Sequence, residues 1–305
     1  MQTLGSAPVQ GVSLSHVNLL RLDLAGGVAP GNKSFKLHHY LAEAARLGVR
    51  RLVSFGGAWS NHLHALAAVG AEQGIATIGI VRGEPPLQPS AMLVDAQRAG
   101  MRLCYVSREE YRRRNEAVYQ QEIAQRFAPC ILVPEGGSSV QGARGCAAIA
   151  AMIRESPDGI KRIVLPVGTG TTLAGIAAAL DDSYEIVGIA ALKGAADLDS
   201  RVAGLLASLA PAGAARWRIL HDYHCGGFAR VNAALRDFML NFEALQGVPL
   251  DPVYTGKMLY AIHSLCQQGE WGSDEKLLAI HTGGLQGRRG FSWLHGGQPP
   301  PLQAG

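Results

Sequence analysis

Short apolar runs alternate along this chain with longer stretches whose apolar positions recur at helical spacing. Leu52-Val53-Ser54-Phe55, Thr77 to Val81, Leu103 to Val106, Ile131-Leu132-Val133, Ile163 to Val167, Ile186 to Ala190 and Leu277 to Ile280 predict strands. Phe35 to Leu47, Asn61 to Gln73, Glu110 to Phe127 and Thr172 to Leu180 predict helices, as does Val140 to Glu155. Strands apolar throughout belong in sheets covered by helices on both faces, so the pattern predicts an α/β protein with parallel sheets. One compact strand set runs from Leu52 to Val133 and a second begins near Arg162, which predicts two open twisted sheets. We expect a discontinuous large domain, residues 1–35 with 145–305, and a small domain, residues 36–144. The Pro-, Gly- and Gln-rich tail from Gly296 to Gly305 is expected to be irregular.

Composition narrows the class. With 48% hydrophobic and 17% charged residues in 305, the chain can bury a large core. Its formal net charge of +4 is mild. The densest basic run, Arg112-Arg113-Arg114, is interleaved with Glu109, Glu110 and Glu116 and reads as a solvated helix face, so no nucleic-acid partner is expected. The 5 cysteines are widely spaced, without CxxC or Cys/His clusters, so neither a disulfide framework nor a metal site is expected. Met1 to Gln10 lacks a signal-peptide pattern, and no apolar run reaches the roughly 18 residues of a membrane span. A cytoplasmic protein without membrane partners is expected.

Four segments carry unusual punctuation. In Gly31-Asn32-Lys33-Ser34-Phe35-Lys36, Lys33 stands at a helix start, near a second cation. It is either a solvated lysine beside a cap, or an amine whose proton is disfavoured by the helix dipole and Lys36 and which can attack a carbonyl. Gly56-Gly57-Ala58-Trp59-Ser60-Asn61-His62 leaves a strand and enters a helix. It is a plain capped turn, or a place where helix amides and the Ser60 hydroxyl hold a carboxylate. Gly168-Thr169-Gly170-Thr171-Thr172 follows an apolar strand and opens a helix, which makes a phosphate cradle. It lacks the lysine of a Walker loop, and Leu173 stands at the third glycine position of a dinucleotide fingerprint. Asp251 to Lys257 and His281-Thr282-Gly283-Gly284 lie at element edges, with Tyr254 open to a core or a site role.

In this order the segments resemble the 1-aminocyclopropane-1-carboxylate (ACC) deaminase/D-cysteine desulfhydrase family of fold-type II pyridoxal 5'-phosphate (PLP) enzymes, which are tryptophan synthase β-subunit-like. The resemblance runs from Leu20 to about Phe291. It rests on Gly31-Asn32-Lys33 with Lys36, Gly57 to His62, Pro134-Glu135-Gly136-Gly137, Gly168 to Thr172, Asp251 to Lys257, and His281 to Gly284. It implies PLP held between two domains, with Lys33 as its Schiff-base lysine and Asn61 on its phenolic oxygen. Gly168, Thr169, Gly170, Thr171 and Thr172 would hold the phosphate. Ser60, Asn61 and His62 would meet the substrate, Ser60 and His62 at its carboxylate, and Tyr254 would lie close to cofactor and substrate. Lys33, Ser60 and Tyr254 would be the catalytic set, and family members are commonly homodimers.

Two positions bear on the reaction. ACC deaminases carry a glutamate facing the pyridine nitrogen and a leucine after the late histidine, where this chain has Thr255 and Thr282. A hydroxyl makes the cofactor a weaker electron sink than a carboxylate does, enough for α-proton removal and loss of a good β-leaving group. A small amino-acid substrate is therefore expected, with D-cysteine giving pyruvate, ammonia and sulfide. The alternatives are ACC ring opening, a racemase or β-replacement enzyme, and a non-catalytic binder of a phosphorylated ligand. The chain departs from the family at Arg21-Leu22-Asp23-Leu24, at Phe35 where many members carry arginine, and at His62 where many carry glutamine.

Overall fold

The computed structural model describes residues 1–157, 159–210 and 213–295; the tail expected to be irregular, Gly296 to Gly305, lies outside them. In chain order the elements are β1 (Gln2–Thr3), β2 (Val17–Arg21), α1 (Asn32–Leu47), β3 (Arg51–Gly56), α2 (Asn61–Gln73), β4 (Ala76–Arg82), α3 (Ala91–Arg98) and β5 (Arg102–Val106). Then come α4 (Arg108–Arg112), α5 (Ala117–Arg126), β6 (Ile131–Val133), α6 (Val140–Cys146), α7 (Ala148–Arg154), β7 (Arg162–Val167) and α8 (Thr171–Ala179). The last are β8 (Glu185–Ala190), α9 (Leu198–Leu209), β9 (Arg216–Leu220), α10 (Ala233–Gln246), α11 (Thr255–Gln267) and β10 (Leu277–His281).

Among the described residues two sheets form, as the apolar pattern predicts. The large one runs β1-β2-β10-β7-β8-β9 and the small one β5-β4-β3-β6. Among the described residues, every pairing between these strands is parallel except β1 with β2. Burial explains the uniform hydrophobicity of the strands. One face of the large sheet packs Ile163 and Leu165 against Ile149, Ile176 and Val202, and the other packs Val164 and Val187 against Phe238, Met239 and Ile262. In the small sheet, Leu52 and Val81 meet Leu66 and Leu93, while Val53 and Ile80 meet Tyr119 and Ile123.

Two expected helices are not continuous. Glu110 to Phe127 breaks at a 3-10 turn, Arg113–Asn115, and at extended Glu116. The break lets Tyr111 and Arg114 both reach Glu135, at 2.6 and 2.5 Å. Val140 to Glu155 is two helices joined at Ala147. There Gly145 lies so close to the Phe35 carbonyl that no side chain could be accommodated, which brings α6 against α1.

Candidate active site

Lys33 sits in the first turn of α1, which is built to start where it does. Gly31 has φ 106°, and a Cβ there would stand 2.5 Å from the Thr282 carbonyl oxygen. Only glycine combines that backbone with that approach. The Thr282 carbonyl instead accepts from Asn32 N at 3.1 Å, tying the loop after β10 to the start of α1. Lys33 Nζ donates to Asn32 Oδ1 at 2.7 Å, and Asn32 Nδ2 donates to Thr172 Oγ1 at 2.9 Å. Burial, and next the neighbouring Lys36 charge, pull Lys33 down to about 7. The dominant cause is therefore desolvation, with the second cation adding to it.

Lys36, one turn on, is buried and reaches Gly136 O at 3.2 Å and Thr169 Oγ1 at 3.4 Å. Burial lowers its pKa too. Its two contacts link the Pro134-Glu135-Gly136-Gly137 turn of the small sheet to the Gly/Thr loop of the large one. That loop joins β7 to α8, with Gly170 at φ 82° as the helix cap. A Cβ on Gly170 would stand 2.5 Å from Val202 Cγ2. Thr169 and Thr171 hydroxyls lie 2.8 Å apart. The first N–H groups of α8 have no acceptor within their own helix, so hydroxyls and amides converge at a positive helix end, a setting for a phosphate.

Ser60, Asn61 and His62 open α2. Ser60 Oγ accepts from Leu63 N at 3.2 Å, which leaves its O–H to donate. Asn61 Oδ1 accepts from Gln286 Nε2 at 3.0 Å. His62 is buried, and its Nε2 lies 2.9 Å from Ser54 Oγ. The Ser54 hydroxyl spends its proton on Val133 O at 2.7 Å, so His62 Nε2 must carry the hydrogen. Nδ1 then holds a buried lone pair, unpartnered among the described residues. Burial, with Lys33 and Lys36 nearby, holds His62 down to about 3, so the ring is neutral.

The loop before α11 completes the cluster. A Cβ on Gly168 would stand 3.1 Å from the Tyr254 ring, so the Gly/Thr loop and Tyr254 touch. Burial, and then Asp251, raise the Tyr254 phenol, which therefore stays protonated. Thr255 Oγ1 accepts from Asp251 N at 2.8 Å and lies 2.9 Å from Asp251 Oδ2. Asp251, buried, also accepts from the backbone N–H groups of Val253, Tyr254 and Thr255. The Thr255 hydroxyl is thus held on Asp251. Thr282, nearly buried, contributes its carbonyl to Asn32. A Cβ on Gly284 would stand 3.0 Å from Asn61 Nδ2 and 3.5 Å from Asp251 Cγ, which closes the ring of segments.

All the singled-out segments therefore converge. Asn32, Ser54, Asp251 and Gln286 were not anticipated as site residues. Asn32 and Asp251 lie inside punctuated segments, but no local signal marks Ser54 or Gln286, whose partners depend on the fold. A cavity of about 490 Å³ lined by Val12, His16, Cys266 and Trp271 contains none of these groups.

Residues 19–283 match the family model described as pyridoxal-phosphate dependent enzyme. A protein named putative 1-aminocyclopropane-1-carboxylate deaminase from Pyrococcus horikoshii is 28% identical over 282 residues, covering 89% of this chain and 85% of that protein. A D-cysteine desulfhydrase from Salmonella paratyphi A is 30% identical over 276 residues, covering 83% and 82%. The crystal structure of an ACC deaminase homologue superposes with a TM-score of 0.78 at 27% identity, covering 92% of this chain and 88% of that one. The cofactor is pyridoxal 5'-phosphate, and the residues present fit it. A lysine amine near neutrality suits its aldehyde, the Gly/Thr helix start suits its phosphate, and the Asn61 amide has a donor group of the kind its phenolic oxygen would take. With the fold, the lysine and the phosphate loop in one place and the match covering most of its length, the chain belongs to the family of pyridoxal-phosphate dependent enzymes.

Proposed function

We propose that this chain is a lyase that removes the amino group and the β-substituent of a small amino acid, turning D-cysteine and water into pyruvate, ammonia and sulfide. The observation that carries it is the Lys33 amine tied through Asn32 to Thr172 of the Gly/Thr loop, where burial and Lys36 disfavour its proton. PLP, when bound, supplies an electron sink for negative charge developing at the substrate α-carbon. Just above neutral pH Lys33 is largely a free amine, able to take the α-proton and hold it at Nζ. Tyr254, kept protonated by burial and by Asp251, is the acid that hands a proton to the sulfur of a substrate bound as its thiolate, which then leaves as hydrosulfide. The free O–H of Ser60 donates to the substrate carboxylate; His62, expected at that carboxylate, offers only a lone pair at Nδ1 and instead accepts from a donor on the substrate.

The preference for β-elimination over ring opening rests on Thr255 and Thr282, which put hydroxyls where a ring-opening enzyme carries a glutamate and a leucine. One observation favours the second reading, ACC deamination. The Asp251 carboxylate bonded to the Thr255 hydroxyl brings an acid within one hydrogen bond of that position. We also infer a large domain of residues 1–35 with 145–305 and a small one of residues 36–144, supported by sheet membership. The family resemblance supports a homodimer, and 5 free cysteines support a reducing cytoplasm.

Ammonia and 2-oxo acid release from D-cysteine, L-cysteine, β-chloro-D-alanine, D-serine and ACC tests this. Pyruvate with sulfide from D-cysteine supports the proposal. Release of 2-oxobutyrate from ACC, without turnover of D-cysteine, replaces it with the second reading.

A further inference from the structure

Directly after the His281-Thr282-Gly283-Gly284 loop, a 3-10 strap, Leu285–Gly290, crosses from the large sheet to helices of the small one. Gln286 Nε2 donates to Asn61 Oδ1 at 3.0 Å. Three residues on, Arg289 pairs with Asp95 of α3, whose carboxylate lies 3.2 Å from His64 Nε2. The strap ends against Trp59, where a Cβ on Gly290 would stand 3.3 Å from three ring atoms.

A primary amide has one acceptor oxygen and one donor NH2 group, so binding one end decides which way the other points. With Oδ1 held by Gln286, Asn61 turns Nδ2 toward Gly284 and Asp251, the side on which the other site segments converge. We propose that Gln286 is a positioning residue that fixes the Asn61 amide so that its NH2, and not its carbonyl, faces the phenolic oxygen of bound PLP. The inference rests on the reading that Asn61 meets that oxygen. The ionised phenolic oxygen only accepts hydrogen bonds. An NH2 group stabilises it, whereas an amide oxygen there sets lone pair against lone pair. Gln286 is suited to this because it can donate to Asn61. A glutamate at 286 could only accept when ionised; it would claim the Asn61 NH2 and turn Oδ1 toward the cofactor.

The test is a pH titration of the cofactor's visible absorption band, with cofactor affinity from fluorescence, on holoenzyme carrying Gln286→Glu, Gln286→Ala or Arg289→Ala. Gln286→Glu should raise the band's pH midpoint by about one unit and weaken cofactor binding about tenfold. Gln286→Ala should shift both in the same direction by less. Arg289→Ala loosens the same strap without touching Asn61 and should leave the midpoint unchanged. Melting temperatures establish that each variant is folded; should Gln286→Glu fail to fold, Gln286→Ala carries the comparison. An unchanged midpoint in folded Gln286 variants overturns the proposal, as does an equal shift in Arg289→Ala, which would make strap docking the cause. A wild-type protein with no visible band overturns the cofactor reading itself, and this inference with it.

Discussion

In the proposed reaction two half-buried side chains, Lys33 and Tyr254, divide the proton work, and their environments push them in opposite directions. Burial and Lys36 bring Lys33 down to about 7, whereas burial and Asp251 raise the Tyr254 phenol. Lys33 acts as a base only when deprotonated, so kcat should rise with pH through about 7 and level off above it. A profile flat across neutrality contradicts that assignment. A lysine depressed in the fold binds fewer protons than in the unfolded chain between about 7 and its ordinary value, so it costs stability at and below neutrality and the cost fades as pH rises. Lys33→Met should therefore raise the melting temperature of cofactor-free protein at pH 7, at about 2–4 °C per kcal/mol recovered, while reducing turnover more than about 1,000-fold. Differential scanning fluorimetry and ammonia release measure the two effects. Tyr254→Phe separates leaving groups. A D-cysteine bound as its thiolate needs a proton on sulfur to leave as hydrosulfide and chloride needs none, so the variant should lose about 100-fold in kcat with D-cysteine and little with β-chloro-D-alanine. Equal losses on both substrates would remove Tyr254 from the acid role.

At the scale of elements, the site is made by starts and ends: α1 and α8 each begin at a glycine of positive φ, and the segments from Gly57 and Gly168 each follow a strand. Gly31→Ala must meet the Thr282 carbonyl and adopt a left-handed backbone, so it should destabilise the protein by about 1–3 kcal/mol and weaken cofactor binding with it. Urea unfolding and cofactor titration read both; unchanged midpoints would mean the loop after β10 yields freely. These glycine starts are why much of the candidate site was legible from sequence. Lys33, Asn61 and the Gly168 to Thr172 loop lie in segments where local composition and local geometry agree. Strands β3, β4, β6, β7, β8 and β10 were legible for a similar reason, being apolar on both faces. Strand β2 was missed because Asn18 interrupts it, its amide oxygen satisfied inside the sheet by Thr3 Oγ1 at 2.8 Å. Strand β9 was missed because Arg216 and Arg218 alternate with Trp217 and Ile219 on an edge strand. The Glu110 to Phe127 overshoot has a tertiary cause, since Glu135 draws Tyr111 and Arg114 together.

Across the whole molecule, two sheets are tied by contacts between residues far apart in sequence. Asn61 with Gln286 and Arg289 with Asp95 bridge them, and no local pattern announces either pair. Ser54 and Asp251 are illegible for the same reason: their roles come from what the fold sets beside them. Burial alone would raise Asp95, but Arg289 and His64 hold its carboxyl below the ordinary range. Its contribution is therefore present above the unfolded carboxylate value and lost as pH falls through the lower folded one. Asp95→Asn should lower the melting temperature at pH 7 and flatten its decline in acid; a parallel decline would show that the Arg289 bridge adds nothing. The central claim is that Lys33, and neither buried Lys36 nor buried Lys257, holds the cofactor. Lys257 is held at about 8 by burial and bonded to two carbonyls, Ala191 O and Gly227 O, while Lys36 is committed to Gly136 and Thr169. Borohydride reduction of the holoenzyme, followed by peptide mass mapping, reads the attachment point directly. The account predicts the cofactor on the peptide bearing Lys33 and at Lys33 itself; attachment at Lys36 or Lys257 would contradict it.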